Sequence, residues 1–285
     1  MNVVRVMGGL GNQLFQYAFG KAQMQNGIDV SFKLPTGKEV ARSGTRRKEW
    51  PRPYCLDKFC LELQPSQYLK QETVHEHLIV GCGFSGIRKL EDGHDLSLLK
   101  RTNCNFEGYW QHIVYFQDFL PLLREEFQIK KEFQTEEFLR LKEEITSCED
   151  SVSMHVRRGD YVLQSGFHEL PFKYYYEALS LTKGDIYIFS DDIPWCKEKF
   201  KEEYISRKIT FVQQEVHLDF ALMRLCKHHI IANSTLSYMM AILEDHLDNV
   251  IVVPSGWISG ARELGDKELM EKANGMYYYD RWLKI

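Results

Sequence analysis

Ser151-Val152-Ser153-Met154-His155-Val156-Arg157-Arg158-Gly159-Asp160-Tyr161 opens the stretch that decides the fold. An apolar run ends at Val156, and from there the chain alternates regularly. Strands are predicted over 152–156, 186–189, 209–212, 229–231 and 250–253, with helices near 172–182, 195–203, 216–227 and 235–246. Short apolar strands alternating with helices make a parallel sheet covered on both faces.

Towards the N-terminus, Val3 to Met7 reads as a strand running into the turn Gly8-Gly9-Leu10-Gly11. A helix over about 13–25 follows, with Leu14, Phe15, Ala18 and Ala22 at helical spacing, and then a strand over 28–32. Residues 35–65 lack periodicity, broken by Pro35, Gly37, Gly44, Pro51, Pro53 and Pro65. Lys38, Arg42, Arg46, Arg47, Lys48 and Arg52 make this stretch basic, either as a solvated loop or as one facing a substrate. Strands at 78–80 and 104–106 and helices near 113–127 and 134–147 complete this half. The split is placed near residue 148, giving an N-terminal α/β domain over 1–148 and a C-terminal α/β domain over 149–285.

Two domains suit 285 residues. Hydrophobic residues at 44% and charged residues at 27% exclude a disordered chain. With 36 basic against 40 acidic residues the net charge is −4, which argues against nucleic acid as a partner. The seven cysteines are scattered without a C-x-x-C pair, so neither a disulfide framework nor a zinc ribbon is expected, and a reducing cytoplasm fits. No apolar stretch approaches the roughly 20 residues of a membrane span. Peripheral association with a membrane stays open.

Ligands of an open parallel sheet bind outside the carboxyl ends of its strands. There stand Arg157-Arg158-Gly159-Asp160-Tyr161, Ser190-Asp191-Asp192 and Asn233-Ser234-Thr235. Helix capping accounts for Asp191, Asp192, Ser234 or Thr235 singly. It does not account for two arginines at a strand end beside His155. Paired guanidinium forks suit a pyrophosphate, Ser234, Thr235 and a helix N-terminus would complete the cradle, and Asp191 could accept from a guanine edge. These residues alone indicate a nucleotide or nucleotide-sugar enzyme. Asn12 and Gln13, beside the glycine turn, look like polar fingers aimed at a bound group. A dinucleotide fingerprint is incomplete there, because Leu14 stands where a third glycine belongs. No D-x-D motif exists to hold a metal. Cys226, His228 and His229 could be metal ligands, but packing is the expected role.

Several blocks together resemble the α-1,2-fucosyltransferase family, glycosyltransferase family 11-like enzymes that use GDP-fucose. They are Gly8-Gly9-Leu10-Gly11-Asn12-Gln13-Leu14-Phe15-Gln16-Tyr17-Ala18, Gly108-Tyr109-Trp110-Gln111, His155-Val156-Arg157-Arg158-Gly159-Asp160-Tyr161, Phe189-Ser190-Asp191-Asp192 and Cys226 to Ser237. Tyr238-Met239-Met240 depart from the family, which usually shows two tryptophans and a glycine there. The resemblance implies a GT-B-like α/β fold of two Rossmann-like domains facing a cleft, the C-terminal one binding GDP-fucose and the N-terminal one on the acceptor side. It implies inverting, metal-independent transfer of L-fucose to the 2-hydroxyl of a galactose-terminated glycan acceptor, in bacterial surface glycan synthesis at the inner face of the membrane. Donor contacts would be Asn12, Gln13, His155, Arg157, Arg158, Asp191, Asn233, Ser234 and Thr235. Arg158 would neutralise the leaving group, and Asp160, His168 and Glu169 are candidates for the base. Asp160 could equally pair with Arg157 or Arg158. Another GDP-sugar transferase, or a non-catalytic nucleotide- or glycan-binding module, are the alternatives.

Overall fold

The computed structural model describes residues 1–36, 39–42, 49–75, 94–162, 169–256 and 278–285. They form two compact units, each built on a parallel sheet.

The first unit, within Met1–Gln128, holds β1 (Asn2–Arg5), α1 (Leu10–Gln25), β2 (Val30–Lys33), β3 (Glu39–Arg42), β4 (Glu49–Arg52), β5 (Glu72–His75), β6 (Cys104–Glu107) and α2 (Leu120–Glu126). Its sheet runs β2-β1-β6-β5 with every pair parallel. Helix α1 packs aromatic rings on it: Tyr17 stacks on Phe32 at 5.6 Å, and Phe19 meets Phe106 edge-on at 5.3 Å. Gly20 permits this approach, since a Cβ there would lie 2.7 Å from the Phe32 ring. Buried glutamines fasten the strand exits to the helix. Gln16 accepts from the Met7 N–H at 2.9 Å and donates to the Gly108 carbonyl at 2.9 Å.

The second unit holds α3 (Glu136–Ser147), β7 (Ser151–Val156), α4 (Phe172–Ser180), β8 (Asp185–Ser190), α5 (Ile193–Lys199), α6 (Glu202–Ile205), β9 (Ile209–Val212), α7 (Val216–Leu225), β10 (His228–Ile230), α8 (Thr235–Leu243), β11 (Ile251–Val253) and β12 (Leu283–Lys284). The sheet order is β12-β11-β10-β7-β8-β9, all parallel. The chain winds outward from β7 through β8 to β9, returns to the other side of β7 at β10, and winds outward again. Val152, Met154 and Val156 pack with Tyr174, Tyr175, Ala178 and Leu179 of α4. The opposite face of β7 carries Ser151, Ser153 and His155, all buried. There the Ser153 hydroxyl lies 2.8 Å from His229 Nδ1.

The units divide at residues 128/129, ahead of the split expected at 148. The reason is α3, whose buried stripe of Phe138, Leu141 and Ile145 packs the helix against α7. The stretch expected to lack periodicity contains the antiparallel hairpin β3–β4. The helix expected over 113–127 is two 3-10 turns followed by α2, because Pro121 fits only a first turn. Pro194 likewise starts α5 ahead of the position expected. The expected strand at 78–80 lies outside the described residues.

Candidate functional site

A ligand crevice is expected where the winding of the sheet reverses. In the second unit that point lies between β7 and its neighbour β10. Arg157 and Arg158 leave β7 there, and Asn233, Ser234 and Thr235 follow β10. The Tyr161 hydroxyl donates to the Asn233 carbonyl at 3.0 Å and ties the two sides together.

Both arginines are held by carboxylates from the next strand end. Arg157 pairs with Asp191 at 2.6 Å, and its guanidinium lies 5.2 Å from the Tyr161 ring. The Arg158 backbone N–H donates to the other Asp191 oxygen at 2.9 Å. Arg158 Nε donates to Asp192 at 3.0 Å, and its Nη1 pairs with Glu169. Its guanidinium lies over the Trp195 ring at 4.0 Å. Asp192 also caps α5, accepting from the Trp195 N–H at 3.2 Å. Among the described residues Nε and Nη1 carry the ion pairs, which leaves Nη2 to meet a ligand.

Two expectations change. Asp191, expected to accept from guanine, has one oxygen on the Arg157 guanidinium and the other on the Arg158 backbone, so this geometry makes it an arginine anchor. Glu169, a candidate base, has its charge committed to Arg158. The Asp160 side chain and His168 lie outside the described residues.

His155 is 6% exposed, and its Nδ1 is buried with no hydrogen-bond partner among the described residues. Burial pulls its pKa down to about 4; Arg157 acts in the same direction and Asp191 against it. The ring is therefore neutral near pH 7 and holds a polar atom still to be satisfied. Ser234 occupies the N-cap of α8, yet its side chain makes no capping bond, unlike Asp192 at α5 and Thr135 at α3. The first-turn N–H groups of α8, at the positive end of its dipole, suit an anion.

In the first unit the exits of β1 and β6 form a second polar rim. Gly8 has φ +78, and Tyr109 lies 3.4 Å from where its Cβ would be. Gln111 donates to Asn12 Oδ1 at 2.8 Å. Gln13, expected to reach for the donor, does not. It is fully buried, donating to the Gly8 and Pro53 carbonyls at 2.9 and 2.8 Å and accepting from the Cys55 N–H at 3.0 Å. An amide with three backbone bonds and no exposure is a structural pin.

Trp195 and Gln111 were not among the expected site residues. An aromatic in the first turn after Asp191-Asp192 was the available signal for Trp195. Among the described residues no group of three or more His, Cys, Asp or Glu could hold a metal. His228 accepts from the Val250 N–H at 3.0 Å and His229 pairs with Ser153, so both are packing residues. Among the described residues no helix is long and apolar enough to cross a membrane. The departure at Tyr238-Met239-Met240 falls on buried positions of α8, with Tyr238 meeting Trp282 edge-on at 6.1 Å.

Comparison with known proteins gives the family and the fold. The sequence model of Glycosyl transferase family 11 matches residues 86–278. An α-1,2-colitosyltransferase of Escherichia coli is 30% identical, over 90% of this chain and 91% of its own. The O-antigen biosynthesis glycosyltransferase WbnK of Escherichia coli is 29% identical, over 89% and 93%. Among solved structures, the NodZ α-1,6-fucosyltransferase soaked with GDP-fucose superposes with a TM-score of 0.50 at 13% identity, over 85% of this chain and 91% of that one. The fold is GT-B-like, and with a family match over more than half its length this chain is a glycosyltransferase belonging to family 11.

Proposed function

We propose that the chain transfers L-fucose from GDP-fucose to the 2-hydroxyl of a terminal β-galactoside, with inversion and without a divalent metal. The observation that carries this reading is the Arg157–Arg158 pair at the switch point, with the N-terminus of α8 following the neighbouring strand. A glycosyl transition state has oxocarbenium character on the sugar and growing negative charge on the departing diphosphate. Arg158 Nη2, Arg157 and the N–H groups around Ser234 and Thr235 would stabilise that charge, in preorganised positions that need no metal. Neutral His155, with a buried nitrogen to satisfy, suits the guanosine. Asn233 shapes the turn between them. The acceptor hydroxyl needs a base within about 2.6–3.2 Å. Asp160, His168 and Glu169 remain the candidates, and Glu169 must first release Arg158.

A second reading is favoured by the relative named for α-1,2-colitosyl transfer. Colitose is fucose lacking its 3-hydroxyl, so the same inverting chemistry applies. The relative named for O-antigen biosynthesis supports a surface polysaccharide as the product. Incubation with lactose and GDP-fucose or GDP-colitose, with linkage determined by NMR, tests both. An α-1,2 linkage to galactose is expected. A 1,3 or 1,6 linkage, or transfer only to another sugar, contradicts the acceptor assignment, and turnover of GDP-colitose alone selects the second reading.

A further inference from the structure

The peptide unit that leads into α8 is fixed from both of its edges. In a trans peptide the C=O and the N–H point in opposite directions. The Asn233 carbonyl accepts from the Tyr161 hydroxyl at 3.0 Å, and the Ser234 N–H of the same unit donates to the Ala232 carbonyl at 2.8 Å. Ala232, Asn233 and Ser234 are all buried, so water does not readily replace a lost partner there. The Ser234 carbonyl then accepts from the Tyr238 N–H at 3.0 Å, which starts the helix. The direction in which the first-turn N–H groups of α8 point thus depends on a side chain that comes from another strand exit.

Tyr161 reaches that position because of how the chain leaves β7. A 3-10 turn, Gly159–Val162, follows the arginines, and the Val162 N–H donates to the Arg158 carbonyl at 3.0 Å. The turn brings the tyrosine back beside Arg157, whose guanidinium lies 5.2 Å from the ring, within the range of a cation–π contact. One side chain therefore touches both parts of the crevice, the arginine with its ring and the helix entrance with its hydroxyl. We propose that Tyr161 is a positioning residue that holds Arg157 and the N-terminus of α8 in register for a diphosphate. This inference rests on the nucleotide site proposed above. Misalignment of such groups matters more as negative charge grows on the departing diphosphate, so kcat should suffer beyond binding.

Tyr161→Phe removes the hydroxyl and keeps the ring, whereas Tyr161→Leu removes both. Calorimetry with GDP, turnover and thermal melts are measured on each. Tyr161→Phe should weaken GDP about fivefold, the worth of one hydrogen bond, and lower kcat about tenfold. Tyr161→Leu should weaken GDP by about two- to fivefold more, the worth of a cation–π contact. The same pair made in Arg157→Ala completes a double-mutant cycle. There the step from Phe to Leu should vanish, because the ring acts through Arg157, and the loss from removing the hydroxyl should persist, because it acts through Asn233. Lower melting temperatures with unchanged GDP affinity and kcat would show support of the fold alone and overturn the inference. So would an equal step from Phe to Leu with and without Arg157. If Tyr161→Leu fails to fold, Tyr161→Phe still decides, since unaltered affinity and kcat in that variant overturn the inference. An unaltered protein that binds no GDP refutes the nucleotide site itself, and the inference with it, so the two failures are told apart.

Discussion

Arg158 has three attachments, and each can be removed by itself: Asp192 on Nε, Glu169 on Nη1 and Trp195 under the guanidinium plane. If its remaining edge meets the leaving diphosphate, Arg158→Ala should lower kcat by about 10²–10³, the range for a preorganised electrostatic donor. Trp195→Leu keeps the charge and removes only the platform. It should weaken GDP binding by roughly fivefold, from a cation–π contact of about 1 kcal/mol. Asp192→Ala also uncaps α5, so it should lower the melting temperature as well, by the loss of about 1 kcal/mol. Steady-state kinetics and thermal melts on the three variants separate catalysis from support. A folded Arg158→Ala protein with near-normal kcat would remove it from the chemistry. The two arginines were legible as a pair because polar residues at a strand end must be explained. Their partners were not, since spacing does not reveal which carboxylate or ring lies beneath a side chain in another element.

At the level of elements, the block Gly8 to Ala18 has two jobs that its sequence does not separate. Gln13, Gln16 and the aromatic residues hold α1 to the sheet, while Gly8 and Asn12 form the rim. Gly8→Ala tests the rim. A side chain at φ +78 is strained, and its Cβ would meet Asn12 Nδ2 at 2.8 Å, so about 1 kcal/mol of stability and most turnover should be lost together. Melts and kinetics check this; wild-type kcat would show the turn to be a connection only. The strands β7, β8 and β9 were readable because each is a short apolar run between helical patterns. Three other elements were not. The hairpin β3–β4 lies among prolines, β5 is a polar strand, Glu72-Thr73-Val74-His75, and β12 is two residues pairing at the sheet edge beside β11. Their strand character comes from pairing partners, which no local pattern encodes.

For the molecule as a whole, burial of neutral histidines sets the response to acid. His112 and His155 are pulled down to about 4 and His229 to about 3, burial leading in each, against an ordinary value of 6.5. Unfolding lets each take up a proton below about pH 6.5, so the unfolded chain binds more protons than the folded one and stability falls from there to about pH 4. Asp219, whose carboxyl is pushed up by burial, opposes the three histidines. The melting temperature should therefore drop steadily on acidification over that range, and His229→Asn should flatten the drop. A constant melting temperature would contradict the buried neutral rings. In the proposed function the second unit holds a guanine nucleoside diphosphate on arginines and a helix N-terminus without a metal. Isothermal titration of GDP and UDP into the protein in excess EDTA, with Arg158→Ala alongside, is the decisive measurement. GDP should bind under chelation, UDP should not, and Arg158→Ala should weaken GDP by about 10- to 100-fold, the worth of a charge-assisted hydrogen bond. Binding of UDP without GDP, or GDP binding lost in EDTA and restored by Mg²⁺ or Mn²⁺, would contradict it.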